Sequence, residues 1–343
     1  MFRRVRDAFV PRHFADPFGL ALRLLRSRSP EALYAMGSAA LRPLLIPVDV
    51  LLSSAERRTL ARARAPTRPI LFVMGPPRSG TTLVALSLIR ALRVGYLNNL
   101  TALFPRSPIT ANRLLGRPIH PERVTLKNYY GRTARLCGPN DALYLWDRWL
   151  GADRTRPPAE ISREAADALV RFFGAWEALV DAPLVAKNNS LNGSAALVGA
   201  LLPTARFVCL RREPLRLAAS LLDARRHILG DASDSYGIDD PSRPRLADPI
   251  QDVVRQLRFH VALADQQRAA LGERFVDLAY EEFCRDPVEH IVQLGARELG
   301  MKVEPDDVRR RIPPLQVSRR EALPASELAQ LERALAEAPG CLP

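Results

Sequence analysis

The sequence predicts a three-layer α/β fold built on a central parallel sheet. Three observations lead there. A chain of 343 residues is long enough to bury a large core with a segment left over, which excludes a disordered chain as the default. Short, almost wholly apolar runs at Pro69–Met74, Leu184–Ala186, Arg206–Leu210 and Phe275–Ala279 alternate with longer helix-like stretches. That is how strands buried on both faces of a parallel sheet read. The first, third and fourth runs each lead into a turn signal and then a helical segment, the grammar of strand-turn-helix units.

In chain order, residues 1–65 read as a basic, mainly helical segment, and Pro66 and Pro69 mark its boundary with an α/β domain over 66–343. Met1-Phe2-Arg3-Arg4 mixes charge and apolar residues too early for a secretory signal. The apolar stretch from Leu33 to Leu52 carries Arg42, Pro43, Pro47 and Asp49, poor material for a bilayer-spanning helix. Arg23, Arg26 and Arg28 beside Leu22, Leu24 and Leu25 suit either packing on the domain or peripheral contact with an anionic membrane. Cys137, Cys209, Cys284 and Cys341 lie far apart with no CxxC, so neither a zinc site nor a disulfide framework is expected, and a cytoplasmic location is.

The balance of 50 basic against 37 acidic residues gives a net charge of +13, and all but three of the basic residues are arginine. Such an excess favours anionic partners. The arginines are dispersed rather than clustered with exposed aromatics, which argues against nucleic acid. The irregular stretch from Arg106 to Trp149, rich in Pro, Arg and aromatics (Tyr129, Tyr130, Tyr144, Trp146, Trp149), is assigned to the wall of an acceptor pocket. The Asp-, Ser-, Gly- and Pro-rich segment from Asp231 to Pro249 reads as a surface loop or lid.

The sharpest motif is Gly75-Pro76-Pro77-Arg78-Ser79-Gly80-Thr81-Thr82, placed between the first strand and an apolar helix. A Gly-bearing turn at a helix N-terminus offers free backbone N–H groups and the positive end of the helix dipole to an anion. Gly75 and Gly80 have Walker A spacing, but Thr81 stands where the lysine belongs. Arg78 is the substitute cation, and its planar fork suits an oxyanion. The core is thus P-loop-like without the usual γ-phosphate lysine.

A second signal follows the third strand: Arg211-Arg212-Glu213-Pro214, then a helix carrying Ser220. Pro214 suits the first helical turn. Ser220 is a single hydroxyl on an apolar face, either back-bonded to its own helix or, with Arg212, a clamp for a second phosphate.

Together these residues resemble the sulfotransferases that use 3′-phosphoadenosine 5′-phosphosulfate. Pro77–Thr82 is similar to that family's 5′-phosphosulfate loop, and Arg212 with Ser220, eight residues on, is similar to its 3′-phosphate pair. Lys187-Asn188-Asn189, Leu202–Phe207 and Tyr280-Glu281-Glu282-Phe283 with Asp286-Pro287 continue the resemblance over about residues 68–300. It implies that Pro77, Arg78, Ser79, Gly80, Thr81, Thr82, Arg212 and Ser220 hold the donor, that Lys187 reaches the transferred group, and that no metal is needed. The product would be adenosine 3′,5′-bisphosphate, and the acceptor a hydroxyl or amine of a glycan, glycolipid or small molecule.

Such a transfer needs a base for the acceptor proton. Where related chains carry Glu, this one reads Asn98-Asn99, and an amide cannot take a proton. Asn99 can orient a hydroxyl. Asp141, in the aromatic stretch, is the substitute base, with helix capping as the alternative; His120 and His227 are weaker candidates. Arg319-Arg320 offer a late phosphate contact or a solvated pair. Two other functions stay open: a P-loop nucleotide kinase, against which the missing lysine and the lack of an acidic strand end for Mg²⁺ argue, and an inactive nucleotide- or membrane-surface-binding relative.

Overall fold

Four short strands pair in parallel in the order β2-β1-β3-β4: β1 Ile70–Met74, β2 Leu184–Lys187, β3 Ala205–Arg211 and β4 Phe275–Ala279. The computed structural model describes residues 17–115, 120–317 and 323–337. Every residue of β1 is buried, as a central strand covered on both faces requires. Its side chains alternate between two cores. Ile70, Phe72 and Met74 enter one and Leu71 and Val73 the other, which makes the three layers.

The first layer consists of α6 (Leu143–Leu150), α7 (Arg163–Val180), α8 (Ala195–Leu201) and part of α10 (Pro249–Leu271). Phe72 stacks on Phe207 at 5.4 Å and meets Trp146 edge-on at 5.8 Å. Trp146 and Trp149 therefore fill the core instead of walling a pocket as their segment suggested. Their large apolar rings bury more area against the sheet than an open cavity would allow. The opposite layer holds α3 (Thr81–Leu92), α11 (Tyr280–Arg285), α12 (Pro287–Leu299) and α13 (Pro305–Arg311). A third cluster joins α9 (Pro214–Ala224), α10 and α14 (Ala325–Ala336).

The N-terminal residues form α1 (Pro17–Arg26) and α2 (Pro30–Arg62), and α2 runs through Pro43 and Pro47. Ser29 caps α2 by accepting from the Ala32 amide, and Ala63, before the proline-marked linker, ends it. Beside the short helix α4 (Asn99–Leu103), two buried carboxylates fasten α2 to α5 (Pro108–Leu114) and the residues leading into it. Asp49 accepts from the Arg106 amide and the Ser107 hydroxyl, and Glu56 accepts from the Ile109 and Thr110 amides and the Thr110 hydroxyl. Burial pushes the Glu56 carboxyl up, against the pull of the Thr110 and Ile109 hydrogen bonds.

Candidate active site

Because β1 and β3 are adjacent and parallel, with Met74 opposite Cys209, the turns that leave them emerge side by side at one sheet edge. Between them opens a cavity of about 1430 Å³, larger than the roughly 300–1,000 Å³ of a single small-molecule site. Pro77, Arg78, Gly80, Thr81, Thr82, Arg212 and Ser220 all line it, as do Lys187, Asp141 and Asn99. Ser79 points away and is fully buried.

The phosphate turn is built under constraint. Arg78 has φ +74° and Gly80 φ +97°. A left-handed arginine costs on the order of 1–2 kcal/mol, so the rest of the turn must hold it. At Gly80 a Cβ would lie 2.1 Å from the Tyr280 ring; only glycine lets α11 close on the turn. No side chain caps the N-terminus of α3, so its first amides remain for an anion. Thr81 gives its hydroxyl proton to Asn189 Oδ1 at 3.0 Å.

The two motifs touch. Arg78 Nε donates to Ser220 Oγ at 3.2 Å, and Arg212 Nη1 donates to the Arg78 carbonyl at 2.8 Å. Arg78 stands 4.6 Å from the Tyr130 ring centroid and Arg212 5.1 Å from that of Tyr280. Burial pushes the Arg212 guanidinium down, with Tyr280 and Glu281 opposing. The neighbouring turn is less free than its sequence suggested: Glu213 caps α9 by accepting from the Leu215 and Arg216 amides. Side chains, not helix amides, are what α9 offers a ligand.

These residues fit a phosphate-bearing donor. Arg212, which lines the cavity, has its Nε buried with no hydrogen-bond partner among the described residues, and an unpaired buried donor is costly unless a ligand satisfies it.

At the other side of the turn, Lys187 Nζ donates to Asp141 Oδ2 at 2.5 Å, with both side chains largely enclosed. Asp141 caps nothing; α6, whose N-cap residue is Ala142, has no side-chain cap. Gly131, in the turn from Asn128 to Arg132, lies over this pair: a Cβ there would stand 3.3 Å from Thr82 Oγ1 and 3.6 Å from Lys187 Nζ. Its bare backbone keeps open the space between those two groups. Asn99 is nearly buried, and its amide is committed. Nδ2 donates to the Thr133 and Arg135 carbonyls, and Oδ1 accepts from Asn140 Nδ2. It holds the chain neighbour of Asp141. Asn98 caps α4 through the Thr101 amide. His120 pairs with Glu122, and His227 with Asp223. Arg319 and Arg320 lie outside the described residues.

One group escaped the sequence reading, Asp223, whose Oδ2 accepts from the Tyr130 hydroxyl at 2.9 Å; burial and that carboxylate push the Tyr130 phenol up. Asp223, three residues past Ser220, shares its helix face, and that spacing was the available signal. The Asp231–Pro249 segment meets the cavity through Ser235, Tyr236, Gly237 and Ile238. It is pinned by Gln256, which donates to the Tyr236 and Ile238 carbonyls, and by the fully buried pair Arg225–Asp252, of which Arg225 donates to the Ala232 carbonyl and Asp252 accepts from the Leu246 amide. Among the described residues no cluster of three or more His, Cys, Asp or Glu side chains could hold a metal ion.

No curated protein matches the chain. Among solved structures, sulfotransferase STF9 from Mycobacterium avium superposes with a TM-score of 0.51 at 18% identity, covering 94% of this chain and 78% of that one. Sulfotransferase STF1 from Mycobacterium tuberculosis H37Rv gives 0.48 at 15% identity over 96% and 94%. The sulfotransferase domain of the Synechococcus PCC 7002 olefin synthase gives 0.39 at 16% over 80% and 96%. A family model described as "Sulfotransferase family" matches residues 69–305, from the residue before β1 to the first residue of α13. Since that stretch is well over half of the chain and contains both the Gly75–Thr82 turn and the Arg212–Ser220 segment, the protein belongs to the sulfotransferase family.

Proposed function

We propose that the protein moves a sulfuryl group from 3′-phosphoadenosine 5′-phosphosulfate to an acceptor hydroxyl. The observation that carries this reading is the direct contact of the two motifs, Arg78 with Ser220 and Arg212 with the Arg78 carbonyl, beside the buried, unpaired Arg212 Nε. When bound, the nucleotide supplies an activated sulfuryl group and a phosphate leaving group.

The chain does the rest by positioning and charge. Arg78 and the amides at the start of α3 hold the 5′ end and neutralise the departing phosphate. Arg212 and Ser220 hold the 3′-phosphate. Lys187, adjoining the space that Gly131 leaves open, orients Asp141. Asp141 accepts the hydroxyl proton as the acceptor oxygen bonds to sulfur and the sulfur–phosphate oxygen bond breaks. Asn99, through Asn140, keeps Asp141 in place. The cavity end formed by Leu20, Leu24, Ala35 and Ala39 favours an acceptor with an apolar portion over a free sugar.

The test is thermal stabilisation by adenosine 3′,5′-bisphosphate without Mg²⁺ against ATP with Mg²⁺, followed by labelled-sulfate transfer to lipid and sugar extracts. Stabilisation by the bisphosphate alone, with label transferred, is expected. Stabilisation only by ATP with Mg²⁺ favours a kinase, and nucleotide binding without transfer to any extract favours an inactive relative.

A further inference from the structure

We propose that the outer face of the α1–α2 pair seats the protein on an anionic lipid bilayer. Three faces of α2 are distinguishable. One packs on the domain through Leu45, Asp49, Leu52 and Glu56. A second lines the cavity with Ala35, Ser38, Ala39 and Arg42. The third faces outward, and it has no polar side chain: from Leu33 to Leu51 every exposed residue is Leu, Val, Ala, Pro or Gly.

That stretch of 19 residues spans roughly 28 Å at 1.5 Å per residue. Leu44 and Leu51 are 74% and 77% exposed, and eight of the twelve exposed large hydrophobics among the described residues lie on α1 and α2. A contiguous apolar surface of this kind marks an interaction site.

Its ends identify the partner. Exposed Arg26 and Arg28 precede the stripe, and exposed Arg57, Arg58 and Arg62 follow it, while Asp49 and Glu56 are turned inward and buried. An apolar stripe bracketed by arginines matches an interface of acyl chains below anionic headgroups. A second copy of this chain would bring arginine ends against arginine ends in either orientation, which disfavours self-association. The helix is long and apolar enough to cross a membrane, but crossing would strip Asp49 and Glu56 from their partners on α5 and its approach, so it lies along the surface.

Ala39, on the cavity side, is itself exposed and adjoins Ala40 and Leu41 of the stripe. Resting on the proposed sulfuryl transfer, the seat makes a lipid-borne hydroxyl the fitting acceptor.

The experiment is vesicle flotation of the full chain, with phosphatidylcholine vesicles and with an equal mixture of phosphatidylcholine and phosphatidylglycerol. The wild type is expected to float with the anionic vesicles and less with the neutral ones. Leu44→Ser with Leu51→Ser keeps the net charge, and it should lower the partition about tenfold or more with the melting temperature retained. Failure of the wild type to float, or equal flotation of the serine variant, overturns the proposal. So does a concentration-dependent dimer in vesicle-free buffer that the serine variant abolishes. No arm uses nucleotide, so this result and that of the bisphosphate test stand separately.

Discussion

Arg78 Nε and Ser220 Oγ, 142 positions apart in the chain, are 3.2 Å apart in space. One guanidinium thus links the turn after β1 to the helix after β3. Arg212 completes the link from beneath by holding the Arg78 carbonyl.

Ser220→Ala should weaken adenosine 3′,5′-bisphosphate about tenfold, the worth of one charge-assisted hydrogen bond, and Arg78→Ala about a hundredfold. Because the two side chains share a bond, the double variant should lose less than the product of the single losses. Calorimetric titration measures all three; unchanged affinity in both single variants would reject the two-turn site.

Asp141→Asn should lower turnover by roughly 10²- to 10⁴-fold while bisphosphate affinity stays the same. Asn99→Ala, which releases Asn140, should lower turnover less. Steady-state rates set beside nucleotide titration separate the two, and a fully active Asp141→Asn enzyme would remove Asp141 as the base.

Gly80→Ala should destabilise the fold by about 2 kcal/mol or more, since it combines a left-handed backbone with a Cβ driven into the Tyr280 ring at 2.1 Å. Urea unfolding gives the figure. A stability equal to that of the wild type would mean that α11 does not press on the turn.

Stability should also fall on mild acidification. His260 is completely buried, with Asn192 Nδ2 3.1 Å from its Nδ1, and burial pushes its imidazole down to about 4. In the unfolded chain it takes up a proton near 6.5. Above that value both states are neutral and the histidine's contribution is fully present. Between about 6.5 and 4 only the unfolded chain is protonated, so up to about 3 kcal/mol is lost as pH falls through this window. Melting temperatures across the range should show this slope, and His260→Gln should flatten it; an unchanged slope would assign the loss to other groups.

The strands, their parallel pairing and the turn after the first strand were legible because each is written in local pattern, whereas the pairing of Arg212 with Ser220 came from the family resemblance. Apolar runs report burial, and Gly75 and Gly80 report a turn. Trp146 and Trp149 were misassigned for the same reason. A local pattern shows that a segment is aromatic, but not which of its rings face the sheet and which, like Tyr129, Tyr130 and Tyr144, face the cavity.

From the sequence alone came the sheet, the two turns that follow its first and third strands, the absence of a lysine at Thr81 and the absence of a carboxylate at Asn98 and Asn99. Only tertiary structure decided that Lys187 meets Asp141, that Gly131 spares the space beside them, that Tyr130 joins Asp223 beneath Arg78, and that α2 presents three different faces. The physical reason is one of range. Hydrophobic periodicity and turn chemistry act over a few residues and are readable in line, whereas hydrogen bonds and ion pairs between side chains 46, 93 or 142 positions apart exist only after the sheet has set their distance.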